Sequence, residues 1–281
     1  MLVRAPDHLG DGVQALPAVA ALTRHYAVAI AGPAWRRDLY AHTGAAFDAT
    51  GDEEIAVLFK PSFKAAWAVR HIPRRIGLST GHRGLLLTDA VTPPGPHRGD
   101  DYAAICGVLD VEVRGLPTLP VDPSRAPIAI GPDDVLLLPG TRSAETVRWR
   151  GFRALAEALG ERAVVVVGPG DLPDVADAVP ATARLAGPFD VPQIAALAIR
   201  VRAVVGIDSG LTHLAAAARR SVGLEDVHVV YGSTDERHTG PRGTLAHHGT
   251  RPACWPCYRK HCPYGGPCLD ADVDEVLGAL E

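Results

Sequence analysis

The chain has 281 residues and a mass of 29.6 kDa, with 47% apolar and 21% charged residues, which excludes wholesale disorder and leaves one large domain or two of ordinary size. A net charge of −4 argues against general nucleic-acid binding, which calls for a basic surplus. No apolar run is long enough to span a bilayer, the opening MLVRAPDHLGDG lacks a signal peptide's apolar stretch, and no amphipathic basic helix is evident. The expectation is a cytoplasmic protein with at most peripheral membrane association.

Along the chain, short β-branched runs alternate with amphipathic stretches. Val3 lies in a brief opening strand, and Val13, Leu16, Val19 and Leu22 recur at helical spacing over residues 12–25. Residues 27–31 read as a strand, 35–43 as a helix and 55–59 as a strand; 75–78 and 85–87 read as short strands and 101–109 as a helix. Five prolines between residues 115 and 134 restrict that stretch to extended or turn conformations, marking an interdomain linker. The predicted domains are 1–125 and 126–281. In the second, strands are predicted at 135–138, 163–167, 184–186, 202–207 and 227–231, and helices at 151–159, 172–178, 191–199 and 210–219. The unbroken apolar run at 163–167 is that of a strand covered on both faces. This alternation predicts an α/β fold of two Rossmann-like, doubly wound domains facing an interdomain cleft.

Four segments carry residues suited to chemistry. In VVGIDSGLTHLAAAA (204–218), a buried strand meets a turn and then a helix, and the free N–H groups and positive dipole end of such a helix favour an anion. Gly210 permits close approach of backbone to a phosphate, while Ser209, Thr212 and His213 offer polar groups; the plainer alternative is that Asp208 or Ser209 is an N-cap. In RAPDHLGDGVQALPAV (4–19), Asp11 stands at a helix start near a strand end. A carboxylate there can take a proton from a substrate hydroxyl, or it can simply complement the dipole; His8 is a weaker candidate for the same role. In PGTRSAETVRWRGF (139–152), Thr141, Arg142 and Arg148 suit phosphate clamping, against the alternative of a solvated loop. The fourth segment, CWPCYRKHCPYGGPC, spaces Cys254, Cys257, Cys262 and Cys268 as C-x2-C-x4-C-x5-C, with His261 as an extra possible ligand. Four thiolates so placed suit one structural zinc ion, and a reduced, metal-free loop is the alternative.

Taken in order, these segments resemble the glycosyltransferase family 9 enzymes, the ADP-heptose:lipopolysaccharide heptosyltransferases. HLGDGVQALPAVAAL resembles the family's Gly-Asp loop and following helix; FKPSFKAAW with PRRIGLSTGHRGLLLTD resembles its acceptor-side stretch; GIDSGLTHLAAAA followed by VVYGSTDERHTGP resembles its nucleotide-sugar site; and the Cys-Pro-rich tail is similar to that of many members. The resemblance implies a GT-B fold and an inverting transfer of heptose, without a catalytic metal, from an ADP-sugar donor to a hydroxyl of a glycan or glycolipid acceptor. It makes Asp11 the catalytic base and Asp208 a contact to the donor sugar. Ser209, Gly210, Leu211, Thr212 and His213 would hold the diphosphate, with Thr141, Arg142 and Arg148 as further donor contacts and Lys60 and Lys64 on the acceptor side. The sequence departs from the family at Val147, where many members have lysine, and at Arg150, where proline usually follows the tryptophan. Those departures leave open a nucleotide-sugar-binding protein without catalysis; the cysteines leave open a metal-binding or redox module.

Overall fold

The computed structural model describes residues 1–140, 145–168 and 179–281. The chain forms two compact units, Met1–Leu119 and Pro120–Glu281.

The first unit carries a five-stranded parallel sheet of β1 (Leu2–Arg4), β2 (Ala29–Ala31), β3 (Ile55–Leu58), β4 (Arg74–Leu78) and β5 (Asp89–Val91), in the order β2-β1-β3-β4-β5. The chain winds first to one side of β1 and then to the other, so the crossover direction reverses between β1 and β3. Its helices are α1 (Leu9–Gln14), α2 (Leu16–Thr23), α3 (Arg36–Tyr40), α4 (Phe63–Ala68) and α5 (Arg98–Gly107). The apolar residues of the 12–25 periodicity are buried as that spacing requires, with Val13, Leu16, Val19 and Leu22 at most 2% exposed. The strand expected at 85–87 is instead part of a 3-10 turn, Arg83–Leu86, and the strand follows at β5. Gly81 and His82, both in the left-handed region, reverse the chain just before it. Three consecutive leucines carry no period of their own, so the turn decides their conformation.

The second unit is a six-stranded parallel sheet. It comprises β6 (Val135–Leu138), β7 (Ala163–Val166), β8 (Arg184–Ala186), β9 (Ala203–Ile207), β10 (Val227–Tyr231) and β11 (Leu245–His248), ordered β11-β10-β9-β6-β7-β8. Every residue of β6, β7, β9 and β10 is buried, because helices cover both faces. The described helices are α6 (Phe152–Leu159), α7 (Val191–Ala198), α8 (Gly210–Ser221), α9 (Glu236–Thr239) and α10 (Val273–Gly278). The helix expected at 172–178 lies outside the described residues. Asp190 starts α7 with a reciprocal capping box to Gln193. Here the winding reverses between β6 and β9. In open parallel sheets, ligands bind beyond the carboxyl ends of the strands at such a reversal, because two neighbouring loops diverge there and leave a crevice.

One buried pair in this unit makes stability depend on pH. His228 on β10 and His247 on β11 bring ring nitrogens within 3.0 Å, with the rings stacked 5.3 Å apart, and His247 lies 3.5 Å from Glu275 on α10. Burial, aided by the neighbouring His247, holds His228 down to about 4 from the ordinary 6.5; Asp226 pulls it the other way and Arg219 adds to the depression. The unfolded chain therefore takes up this proton near pH 6.5, and the folded chain only near 4. Stability from this group is full above 6.5 and is lost as pH falls through that window, by on the order of 3 kcal/mol. Urea titrations at stepped pH measure the slope, which His228→Gln flattens.

Candidate functional site

In the second unit, the winding reverses between β6 and β9, and the turn that follows β9 stands at that reversal. Asp208 is the first residue after β9. Its side chain is 7% exposed, yet it is held ionised. Burial alone would raise its pKa; His213, 3.5 Å away, the Thr239 hydroxyl donating at 2.7 Å, and the nearby Thr234 hydroxyl reverse the sign and depress it. The carboxylate thus ties the start of α8 to the end of α9. Thr234 lies close without closing a direct hydrogen bond.

Ser209 occupies the N-cap position of α8 in extended conformation but does not cap it; its hydroxyl instead meets Thr212 Oγ1 at 3.3 Å. The first-turn N–H groups of a twelve-residue helix are therefore uncapped by that side chain, at the positive end of its dipole. Ser209, Gly210 and Leu211 are partly exposed, so an anion can reach their backbone. Thr212 is fully buried and packs against β9 at Gly206, where any Cβ would collide with it. His213 is 4% exposed and is turned towards Asp208. The structure thus brings Asp208, Ser209, Thr212 and His213 together, with Thr212 and His213 directed inward and the turn residues 208–211 partly exposed.

On the β6 side, Thr141 and Arg142 lie outside the described residues. Arg148 is half-buried in the loop, and Val147 is packed into the core with Trp149, whose indole N–H donates to Ala271 O at 3.0 Å. Sequence reasoning missed the contact that joins this loop to the one after β10. Ser233 donates to Thr146 through its backbone N–H and through its hydroxyl, each at 3.0 Å. Gly232 is required there, since a Cβ would strike the Thr146 carbonyl.

The cysteine segment braces the same loop. Trp255 Nε1 donates to Gly232 O at 2.9 Å, and the N–H groups of Cys257 and Tyr258 donate to Ser233 O. All four cysteines are free thiols. Cys268 is buried, which raises its pKa, and the other three lie near enough to raise it further. They are thus gathered in one place, but among the described residues no three His, Cys, Asp or Glu side chains converge on a common metal position.

In the first unit, the reversal between β1 and β3 is bridged by an ion pair, Lys60 to Asp7, at 2.6 Å. Asp11 sits in the first turn of α1 with its side chain 28% exposed. Arg98, from the start of α5, approaches it to 3.7 Å and is held from behind by the buried Asp101 at 3.3 Å. The negative charge of Asp11, after burial, helps raise the pKa of Tyr40 and Tyr102. Gly12 is dictated by packing, because a Cβ would enter the Trp35 ring. Lys64 stands on the exposed face of α4.

Residues 51–267 match the family described as glycosyltransferase family 9 (heptosyltransferase). No curated protein sequence matches the chain. Among solved structures, the chain is similar to E. coli ADP-heptose lps heptosyltransferase II (TM-score 0.78, 21% identity, covering 99% of this chain and 96% of that one). It is also similar to E. coli heptosyltransferase WaaC with ADP-2-deoxy-2-fluoro heptose (TM-score 0.67, 13% identity, 92% and 96% covered). A third likeness is to the dodecameric iron-containing heptosyltransferase TibC in complex with ADP-D-beta-D-heptose (TM-score 0.60, 16% identity, 93% and 68% covered). Two parallel α/β sheets and these likenesses give the GT-B fold. With the match spanning most of its length, the chain belongs to glycosyltransferase family 9 and is a glycosyltransferase.

Proposed function

We propose that the protein is an inverting, metal-independent transferase that moves heptose, or a related sugar, from an ADP-activated donor to a hydroxyl of a lipopolysaccharide-core or other surface-glycan acceptor. The observation that carries this reading is the start of α8, left uncapped by Ser209 at the β6–β9 reversal beside a buried, ionised Asp208. A diphosphate fits the exposed backbone of residues 209–211, where the helix dipole stabilises the charge that accumulates as ADP departs. Asp208 is available to the donor sugar.

Asp11 takes the proton of the acceptor hydroxyl. The oxygen attacks the anomeric carbon from the face opposite the phosphate, a C–O bond forms, and the bond to the diphosphate breaks with its electron pair leaving on ADP. Lys60 and Lys64 serve the acceptor, while Arg148, with Thr141 and Arg142, serves the diphosphate. The cysteine segment acts as a structural clip behind the donor loop; a zinc ion is the ligand that Cys254, Cys257, Cys262 and Cys268 would suit.

A panel of ADP, UDP, GDP, CMP and TDP followed by thermal shift tests the donor assignment. ADP at 100 times its dissociation constant adds about 2.7 kcal/mol of stability, which at this chain length is a rise of about 5 °C or more. Selective stabilisation by another nucleotide replaces the donor. Val147, buried where many relatives carry lysine, supports a second reading as a nucleotide-sugar-binding protein without catalysis; turnover of any donor dismisses it.

A further inference from the structure

The second unit contains a short helix that packing does not place. Helix α9 buries none of its four residues, so no apolar face fixes it against the sheet. Polar contacts hold it instead. The Asp235 side chain accepts from the Arg237 N–H at its start, and Thr239 donates to Asp208 at its end. Between these, His238 meets Tyr258 of the cysteine segment. Its Nδ1 and the phenolic oxygen lie 2.5 Å apart, and the two rings are within 18° of parallel.

Tyr258 reaches His238 through a strained backbone. Its φ is +52°, in the left-handed region, which a bulky residue rarely occupies unless its surroundings impose it. They do so here because the N–H groups of Cys257 and Tyr258 both converge on Ser233 O, at 3.1 and 3.2 Å. The tyrosine ring gains little burial from this, being 45% exposed. What the turn delivers is the hydroxyl. Partial burial raises its pKa, the Asp235 N–H works against the rise, and the charges of Asp235 and Asp208 add to it. The group is therefore a neutral O–H within electrostatic reach of Asp208.

With the Asp235 N–H directed at the tyrosine oxygen, the hydroxyl's own proton is left for His238 Nδ1. In a neutral imidazole the other nitrogen, Nε2, is then the donor. Among the described residues Nε2 makes no hydrogen bond, and His238 is partly exposed. We propose that His238 is a specificity-determining contact to the donor sugar, its Nε2–H donating to a sugar hydroxyl beside the one that Asp208 accepts, and that Tyr258 is the positioning residue that fixes its tautomer and orientation. Thr239, the next residue, holds Asp208, so one short helix presents a donor and governs an acceptor. That combination suits neighbouring hydroxyls on a sugar, which a bare nucleoside diphosphate does not offer at this end. The inference rests on the reading of Asp208 as a donor-sugar contact. Twenty residues separate His238 from Tyr258, so no local motif announces the pair.

Calorimetric titration of the full chain with ADP and with ADP-heptose, in the absence of acceptor, tests it, because the ratio of the two dissociation constants isolates the sugar. The parent is expected to bind ADP-heptose more tightly than ADP. His238→Ala weakens ADP-heptose roughly tenfold, the upper range for one hydrogen bond, and leaves ADP unchanged. His238→Gln, whose amide can donate from a position close to Nε2, restores part of the loss. Tyr258→Phe keeps the ring and removes the hydroxyl; it weakens ADP-heptose about threefold at an unchanged melting temperature. If ADP and ADP-heptose weaken together, the pair is only a brace for the donor loop and the proposal is overturned. Variants that keep the parental ratio overturn it as well, while leaving the donor reading intact. A parent that binds ADP-heptose no better than ADP removes the sugar contact of Asp208, and this inference falls with it.

Discussion

Asp11→Asn reduces sugar transfer by about 10²–10⁴-fold, the range of a general base removed from its transition state, while leaving the melting temperature nearly unchanged. Asparagine is isosteric and cannot accept the acceptor's proton. The fold contributes little to the loss, because the side chain is partly exposed and its ionic partner Arg98 keeps Asp101 when Asp11 is neutralised. Exposed pairs of this kind contribute at most about 1 kcal/mol. Nucleotide binding is unaffected, since Asp11 belongs to the first unit and the uncapped start of α8 to the second. The measurement pairs initial rates of ADP release from ADP-heptose in the presence of acceptor with a thermal-shift titration of ADP. A variant that turns over at the parental rate removes Asp11 as base; one that loses ADP binding as well shows damage beyond the proton transfer.

Arg219→Met lowers folding stability by about 3–5 kcal/mol, the cost of leaving buried groups without their charged partner. Arg219 is fully buried near the end of α8, and among the described residues no carboxylate pairs with it at hydrogen-bond distance. Its guanidinium donates to the carbonyls of Ala198 (2.8 Å), Val201 (2.9 Å) and Arg202 (2.8 Å). These carbonyls end α7 and form the turn into β9, where the negative end of a helix dipole and orphaned acceptors coincide. Burial pushes the guanidinium's pKa down, yet an arginine stays charged, so the interaction is a cation shared among three backbone oxygens. Methionine fills much of the volume and satisfies none of them. Urea unfolding gives the loss directly; Arg219→Lys recovers only part of it, because one ammonium cannot reproduce the planar fork. A loss below about 1 kcal/mol would mean that water or backbone adjustment satisfies those carbonyls.

What the sequence disclosed follows from where apolar residues had a single reading. Strands β6, β7 and β9 are short unbroken apolar runs between turn residues, β10 is broken only by His228, and α8 begins where Gly210 follows Ser209. Such segments are buried on every side, so composition alone identifies them. Helix α4 escaped notice because its inward residues are alanines and its outward ones aromatic, which reverses the usual pattern. Edge strand β11 holds two histidines and an exposed leucine, so it lacked the signature of its neighbours. Around the candidate site, local motifs exposed Asp11 and the 208–213 turn, but their partners come from far along the chain. Arg98 reaches Asp11 from another helix, and Thr239 reaches Asp208 across 31 residues. Only the fold brings such pairs together, and a polar residue awaiting a distant partner looks in sequence like any other surface residue.

The two sheets share no strand, and this bears on how the protein comes into being at the ribosome. All five strands of the first sheet, and the helices packed on it, are complete by residue 119, so that half is free to condense while the remainder is still being translated. The second half has no such early opportunity. Val276 on α10 and Leu280 just beyond it fill its core beside Val135 and Leu155, and Arg202 donates to the carbonyls of Leu280 and Glu281. Its first strand must wait for the last helix, and its unpaired parallel strands stay exposed throughout that interval. Slowing translation between the two halves would favour soluble yield, whereas trimming α10 would be felt first as aggregation of nascent chains rather than as a change in the finished enzyme.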